Sequence, residues 1–111
     1  MVVPSRALGV SDAFVDGRRT IKLSGELDLA TVRGLADAVA ARAEEAEQTV
    51  LDLSDLTFLD LSGLRAICDA SRYVARLRIV GPDAPQVRRL FELTGLIDQL
   101  PFGSDPFAAA T

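Results

Sequence analysis

The sequence contains no histidine, no tryptophan and a single cysteine. Without histidine it can build neither a histidine-based catalytic triad nor an imidazole metal site. With Cys68 as its sole thiol it cannot close an internal disulfide or assemble a typical zinc site, and a lone thiol fits a reducing compartment. Lysine is nearly absent too: of the twelve basic residues, all but Lys22 are arginine. The formal net charge is −4, so the chain lacks the basic excess that nonspecific nucleic-acid binding needs. No apolar run approaches the roughly 20 residues of a membrane helix. The start, MVVPSRALGV, shows no basic segment followed by an apolar one, so no secretory signal is expected. Taken together, these absences predict a cytoplasmic protein with no metal, no cofactor, no nucleic-acid partner and no membrane partner.

What remains is a chain of 111 residues, 49% of them hydrophobic, too apolar to stay disordered and long enough for one core. It reads as a single domain over residues 1–111, with an ordered core at about 8–102 and a flexible tail at 103–111. The arginine-rich basic set favours bidentate contacts with protein partners.

Along the chain, two strands flank the turn dipeptide Asp16-Gly17. Thr20, Lys22 and Ser24 alternate there with Ile21 and Leu23. The period then changes: Val32, Leu35, Ala36, Val39, Ala40 and Ala43 fall at helical spacing. Asp28 is the expected N-cap of this helix, and Glu44, Glu45 and Glu47 mark its frayed end. A third strand spans 49–54, with Leu51 and Leu53 on one face and Asp52 and Ser54 on the other. A second helix begins near Ser62, with Leu64, Ile67, Cys68, Ser71 and Val74 on its inner stripe. A fourth strand carries Leu77 and Ile79. A third helix is capped by Asp83 or Ala84, has Pro85 in its first turn, buries Val87, Leu90 and Phe91, and stops at Gly95. Residues 97–102 read as a short last strand.

This order predicts an α/β fold with a mainly parallel sheet of four to five strands and an antiparallel N-terminal hairpin strand. Strands covered on both faces read as continuous apolar runs. Here Lys22, Asp52 and Arg78 sit mid-strand opposite the leucines, so the helices are expected on one face only. Asp52 is expected to neutralise a neighbouring cation on the wetter face.

The stretch FLDLSGL, residues 58–64, carries an acid, a hydroxyl and a glycine at a strand-to-helix junction. Local chemistry gives these residues capping roles: Asp60 or Ser62 accepts the first free amides of the helix, and Gly63 allows a tight turn. A hydroxyl in the first turn also lies where the helix dipole favours a phosphate.

Three segments, LSGELDLATV, VLDLSDLTFLDLSGLRAI and LRIVGPDAPQVRRLFELTGL, together resemble the anti-sigma factor antagonists of the STAS domain family. The likeness runs over about 21–100. It implies a β-α superhelix and a bacterial, stress-responsive transcription regulator with no catalysis of its own. It further implies a protein partner: an anti-sigma factor of the GHKL serine-kinase type, which the unphosphorylated protein binds, so freeing a sigma factor. Phosphorylation by that kinase ends the contact, and a serine phosphatase is a further expected partner. Carried over by position, the phosphoacceptor is Ser62. Family members commonly show Asp-Ser-Ser-Gly or Asp-Thr-Ser-Gly; here the run is Asp60-Leu61-Ser62-Gly63. Leu61 replaces the neighbouring hydroxyl and offers an apolar docking spot. The expected partner-binding residues are Asp28, Asp60, Leu61, Ser62, Gly63, Arg65, Asp69 and Arg72. Of these, Arg65, Asp69 and Arg72, followed by Arg76, read as one outward stripe of the second helix.

Two rival readings stand beside this one. Glu26 and Asp28 form a carboxylate pair, but two positions apart at a turn they read as loop and cap rather than as an acid–base pair. A STAS scaffold in another assembly, such as a lipid-transport ATPase or a larger signalling complex, would share the fold and the serine.

Overall fold

The structure is a computed structural model, and it describes residues 8–103. The tail expected at 103–111 lies, beyond Gly103, outside the described residues. The strands are β1 (Leu8–Val15), β2 (Arg18–Leu27), β3 (Gln48–Leu59) and β4 (Leu77–Val80). The helices are α1 (Val32–Ala40), α2 (Leu61–Tyr73) and α3 (Pro85–Leu93). The sheet order is β1-β2-β3-β4. β1 and β2 pair antiparallel, while β2, β3 and β4 run parallel. Among the described residues no helix is long and apolar enough to cross a membrane.

The hairpin closes at Asp16 and Gly17, both with positive φ, 52° and 81°, which is the backbone twist a two-residue hairpin turn requires. The period-two alternation holds where it was read. Ile21, Leu23, Leu51, Leu53, Leu77 and Ile79 are all buried and share one cluster with Leu35, Val39, Leu64, Ile67, Val87 and Phe91 from the helices. Lys22 and Asp52 are half-buried and Arg78 is exposed on the reverse face, where Val50 is buried. Lys22 forms its ion pair with Asp55 at 3.1 Å. Asp52 accepts the Ser54 amide at 2.9 Å and adds its charge to that of Asp55 beside Lys22.

β3 runs five residues past its expected end. The register against β2 shifts twice, between Lys22 and Ser24 and between Gly25 and Glu26. Each shift places an extra residue in β3, so Leu53, Leu56 and Leu59 are buried at a spacing of three. The two-residue alternation that marks a strand is lost there, although the pairing continues.

α1 is shorter than its spacing predicted. It ends at Ala40, and Arg42 is left-handed with φ 55°. Ala36 and Ala40 are exposed, leaving Leu35 and Val39 as the buried pair. A buried arginine terminates the helix. Arg19, 1% exposed, donates to the Ala38 and Val39 carbonyls and forks onto the Asp12 carboxylate at 2.9 and 2.7 Å. A cation at a helix C-terminus opposes the partial negative charge of the unpaired carbonyls.

On α2, Ala70 takes the buried place expected of Ser71, and Cys68 is half-buried at the edge of the stripe. Burial raises the Cys68 thiol pKa above its ordinary 9.0. α3 has Ala84 as N-cap, Pro85 first, and Gly95 left-handed at φ 77° beyond the end, as expected; Val87 and Phe91 are buried, while Leu90 is half-buried. The last strand does not form. Residues 96–98 make a short 3-10 turn, and Phe102 makes a single parallel bridge to Ile79. Pro101 has no N–H to donate to a ladder. Phe102 instead packs edge-on against Phe91, with ring centroids 5.0 Å apart.

Candidate functional site

The junction between β3 and α2 is organised by Asp60. Its backbone N–H donates to the Leu27 carbonyl at 3.3 Å. One carboxylate oxygen accepts the Gly63 amide at 2.8 Å, which caps α2. The other accepts the Leu29 amide at 3.2 Å, from the loop that leads into α1. One side chain thus ties the starts of two adjacent helices together.

Gly63 serves by being small rather than by turning. It lies within α2, and a Cβ placed on it would sit 2.4 Å from the Leu27 carbonyl oxygen and 2.6 Å from Leu59 Cδ1. The first turn of α2 can lie this close to β2 only without a side chain there.

Asp28 does not cap α1 through its side chain. Its carboxylate accepts the Ala30 amide at 3.0 Å, one turn before the helix. Thr31 holds the N-cap position, but its hydroxyl is used backward: it accepts the Asp28 amide at 2.9 Å and donates to the Glu26 carbonyl at 2.9 Å. The loop therefore makes an extra turn, and the helix starts at Val32.

Ser62 is the second residue of α2, half-buried. Its side chain makes no hydrogen bond to any described residue, since the capping role belongs to Asp60. Large apolar side chains are exposed at the same end of the fold. Leu61 is 68% exposed and Leu29 75%, flanking Asp60, and Phe58 at the end of β3 is 43% exposed. Large apolar side chains left exposed near one another are a common feature of contact surfaces. Ser62 also lies at the edge of a groove between α1 and α2, about 740 Å³ in volume, which includes Val32, Ala36, Ala40, Ala66 and Tyr73.

A family model described as Mlab, STAS domain, matches residues 10–101. The chain belongs to the STAS domain family. A protein of Bordetella bronchiseptica named as the anti-sigma factor antagonist BtrV is 27% identical over 100 residues, covering 86% of each chain. An anti-sigma factor antagonist from Mycobacterium paratuberculosis superposes with a TM-score of 0.81 at 25% identity, over 99% of this chain and 96% of that one. SpoIIAA of Bacillus in its phosphorylated form gives a TM-score of 0.66 at 20% identity, over 92% and 97% of the two chains. This last likeness shows the shared fold.

In this STAS domain the expected site residues divide into two groups. Asp28, Asp60, Leu61, Ser62 and Gly63 come together at the start of α2 and the adjoining loop. Arg65 and Asp69 continue from Ser62 along the groove, and Arg72 pairs with Asp69 at 3.2 Å. Arg76 departs from the stripe. It lies past the helix end, left-handed with φ 57°, in the turn to β4. Sequence reasoning missed Leu29 and Arg33. Leu29 had a signal, a large apolar residue in a loop with no periodic partner. Arg33 had none until the α1–α2 groove was in view.

Proposed function

We propose that this STAS domain is an anti-sigma factor antagonist. Unmodified, it docks on an anti-sigma factor of the GHKL serine-kinase type through the Ser62 end of α2, and the sigma factor is released. Phosphorylation of Ser62 ends the contact, and a serine phosphatase restores it. The domain catalyses nothing in this cycle and works in the cytoplasm with no metal or cofactor.

One observation carries the reading. The Ser62 hydroxyl is free of the capping role its position suggests, and at the same end of the fold Leu29, Phe58 and Leu61 are large, apolar and exposed. A kinase can therefore reach the hydroxyl without dismantling the helix start. A partner seated on the leucines would meet a phosphate of about −1.5 to −2 charges at its contact. The homology to anti-sigma factor antagonists supports the same role. The testing experiment incubates the protein with the serine-kinase anti-sigma factors of its own bacterium and ATP, then maps the phosphate. Phosphate on Ser62, and its loss in Ser62→Ala, is the expected result. Modification elsewhere, or none with any of these kinases, would defeat the proposal.

A second reading is a non-enzymatic STAS subunit of another assembly, such as a lipid-transport ATPase. Purification of the native complex separates the two: a sigma-regulating kinase co-purifies in the first case, a transporter ATPase in the second.

A further inference from the structure

We propose that Arg33 and Arg65 form a clamp for the phosphate on Ser62, gripping it from both sides of the α1–α2 groove. The inference rests on the reading of Ser62 as the phosphoacceptor and names what receives the phosphate within this chain.

The geometry comes from topology. β2, β3 and β4 are parallel, so the two connecting helices run in the same direction. The Leu29–Asp60 bond holds their starts side by side. Arg33 is the second residue of α1 and Ser62 the second residue of α2, so both sit in the first turn of their helices. Arg65 lies three residues beyond Ser62, its neighbour on the helix surface. All three line one groove.

Both arginines are uncommitted. Arg19, Lys22, Arg42, Arg72 and Arg88 each hold a carboxylate. Among the described residues Arg33 and Arg65 make neither a hydrogen bond nor an ion pair, and both are exposed. Several acids at this end are committed instead: Asp60 to the Gly63 and Leu29 amides, Asp28 to the Ala30 amide, and Asp69, which lines the groove, to Arg72. A phosphate has three strong acceptor oxygens, and a guanidinium presents a planar fork that binds two of them at once. Closing both forks on one phosphate would span the groove at its Ser62 end. Phosphorylation would then withdraw two cations from the docking surface and narrow the groove mouth, while the fold stays the same.

The test places phosphoserine at position 62 during synthesis, through an expanded genetic code, so no kinase is needed. The phosphate is titrated by phosphorus NMR in the otherwise unaltered protein and in Arg33→Gln, Arg65→Gln and the double variant. Both arginines are exposed, and circular dichroism checks that each variant is folded. Glu26, Asp28, Asp37, Asp60 and Asp69 are the same in every variant, so their influence cancels in the comparison. The expected result is a second phosphate pKa about one unit lower in the unaltered protein than in the double variant, with each single variant between them. The guanidinium signals of Arg33 and Arg65 should also shift on phosphorylation. Arg33→Lys, which keeps the charge and loses the fork, should recover only part of the difference. Equal pKa values in all forms would overturn the clamp. So would an effect of Arg65 alone, or a pKa difference with unmoved arginine signals. A kinase that ignores Ser62 would defeat the phosphoacceptor reading without altering these titrations.

Discussion

Gly63→Ala isolates the packing that sets the start of α2. In an open helix this change is favourable, by about 1 kcal/mol, because alanine is the better helix former. Here the new Cβ would stand 2.4 Å from the Leu27 carbonyl oxygen, 2.6 Å from Leu59 Cδ1 and 3.0 Å from Leu27 Cγ. The Leu59 methyl can rotate aside, but the carbonyl is fixed. It belongs to β2, is paired in register with Leu59, and accepts the Asp60 amide. The helix must therefore lift by more than half an ångström, which loosens the Asp60 clamp and moves Ser62. Overpacking costs about 1–3 kcal/mol, and against a fixed carbonyl we expect the upper part of that range, about 2–3, which exceeds the propensity gain. We expect a net loss of about 1–2 kcal/mol, or roughly 4–16 °C in melting temperature for a domain of this size. Equilibrium urea unfolding measures it. A neutral or stabilised variant would refute the close-approach argument for Gly63.

Four further outcomes follow from the same structure. Leu53→Ala, in the centre of the core, should lose roughly 2–5 kcal/mol in denaturant unfolding, whereas Ser62→Ala should lose less than about 0.5 because Asp60 already caps the helix; the reverse ranking would contradict the capping assignment. Asp60→Ala should cost about 1–2 kcal/mol by the same measurement, since two backbone amides lose their acceptor. Lys22 has its pKa raised above 10.5, chiefly by its hydrogen bond to Asp55 and then by the charges of Asp55 and Asp52. A raised ammonium pKa stabilises the folded state below pH 10.5 and loses that contribution as the pH climbs through the folded value. Lys22→Met should therefore melt slightly below wild type at pH 7, and the gap should close in the alkaline range above 10.5. The Cys68 thiol, pushed above 9.0 mainly by burial, should react with iodoacetamide at pH 8 more slowly than free cysteine.

The parts of the fold readable in the sequence are those where side-chain period and backbone pairing agree. Ile21, Leu23, Leu51 and Leu53 alternate with Lys22 and Asp52 because the strands there are regular, and the face each residue takes follows directly. β3 beyond Ser54 was illegible because its two irregularities against β2 turn a two-residue period into a three-residue one, which resembles neither strand nor helix. Arg19 was readable in principle: it is in phase with Ile21 and Leu23, but a charged residue on a core face has no evident partner until Asp12 and the end of α1 are placed. Asp60 was legible as a cap, since it precedes an apolar helical stripe by the right interval. Its second bond, to Leu29, was not, because it joins segments more than thirty residues apart. The groove beside Ser62 was hidden for a similar reason. The alanines at 36 and 40 fit a buried stripe by spacing, and only the early end of α1 and its placement beside α2 leave them exposed.

The most direct test of the account is a binding titration of three forms against the cognate serine-kinase anti-sigma factor: unmodified protein, Ser62→Ala, and protein carrying phosphoserine at 62. Unmodified protein and Ser62→Ala should bind alike, since the serine contributes neither cap nor hydrogen bond. The phosphorylated form should bind at least roughly a hundredfold more weakly, a loss of about 3 kcal/mol. Equal affinity for the unmodified and phosphorylated forms would contradict the central claim that Ser62 is the switch.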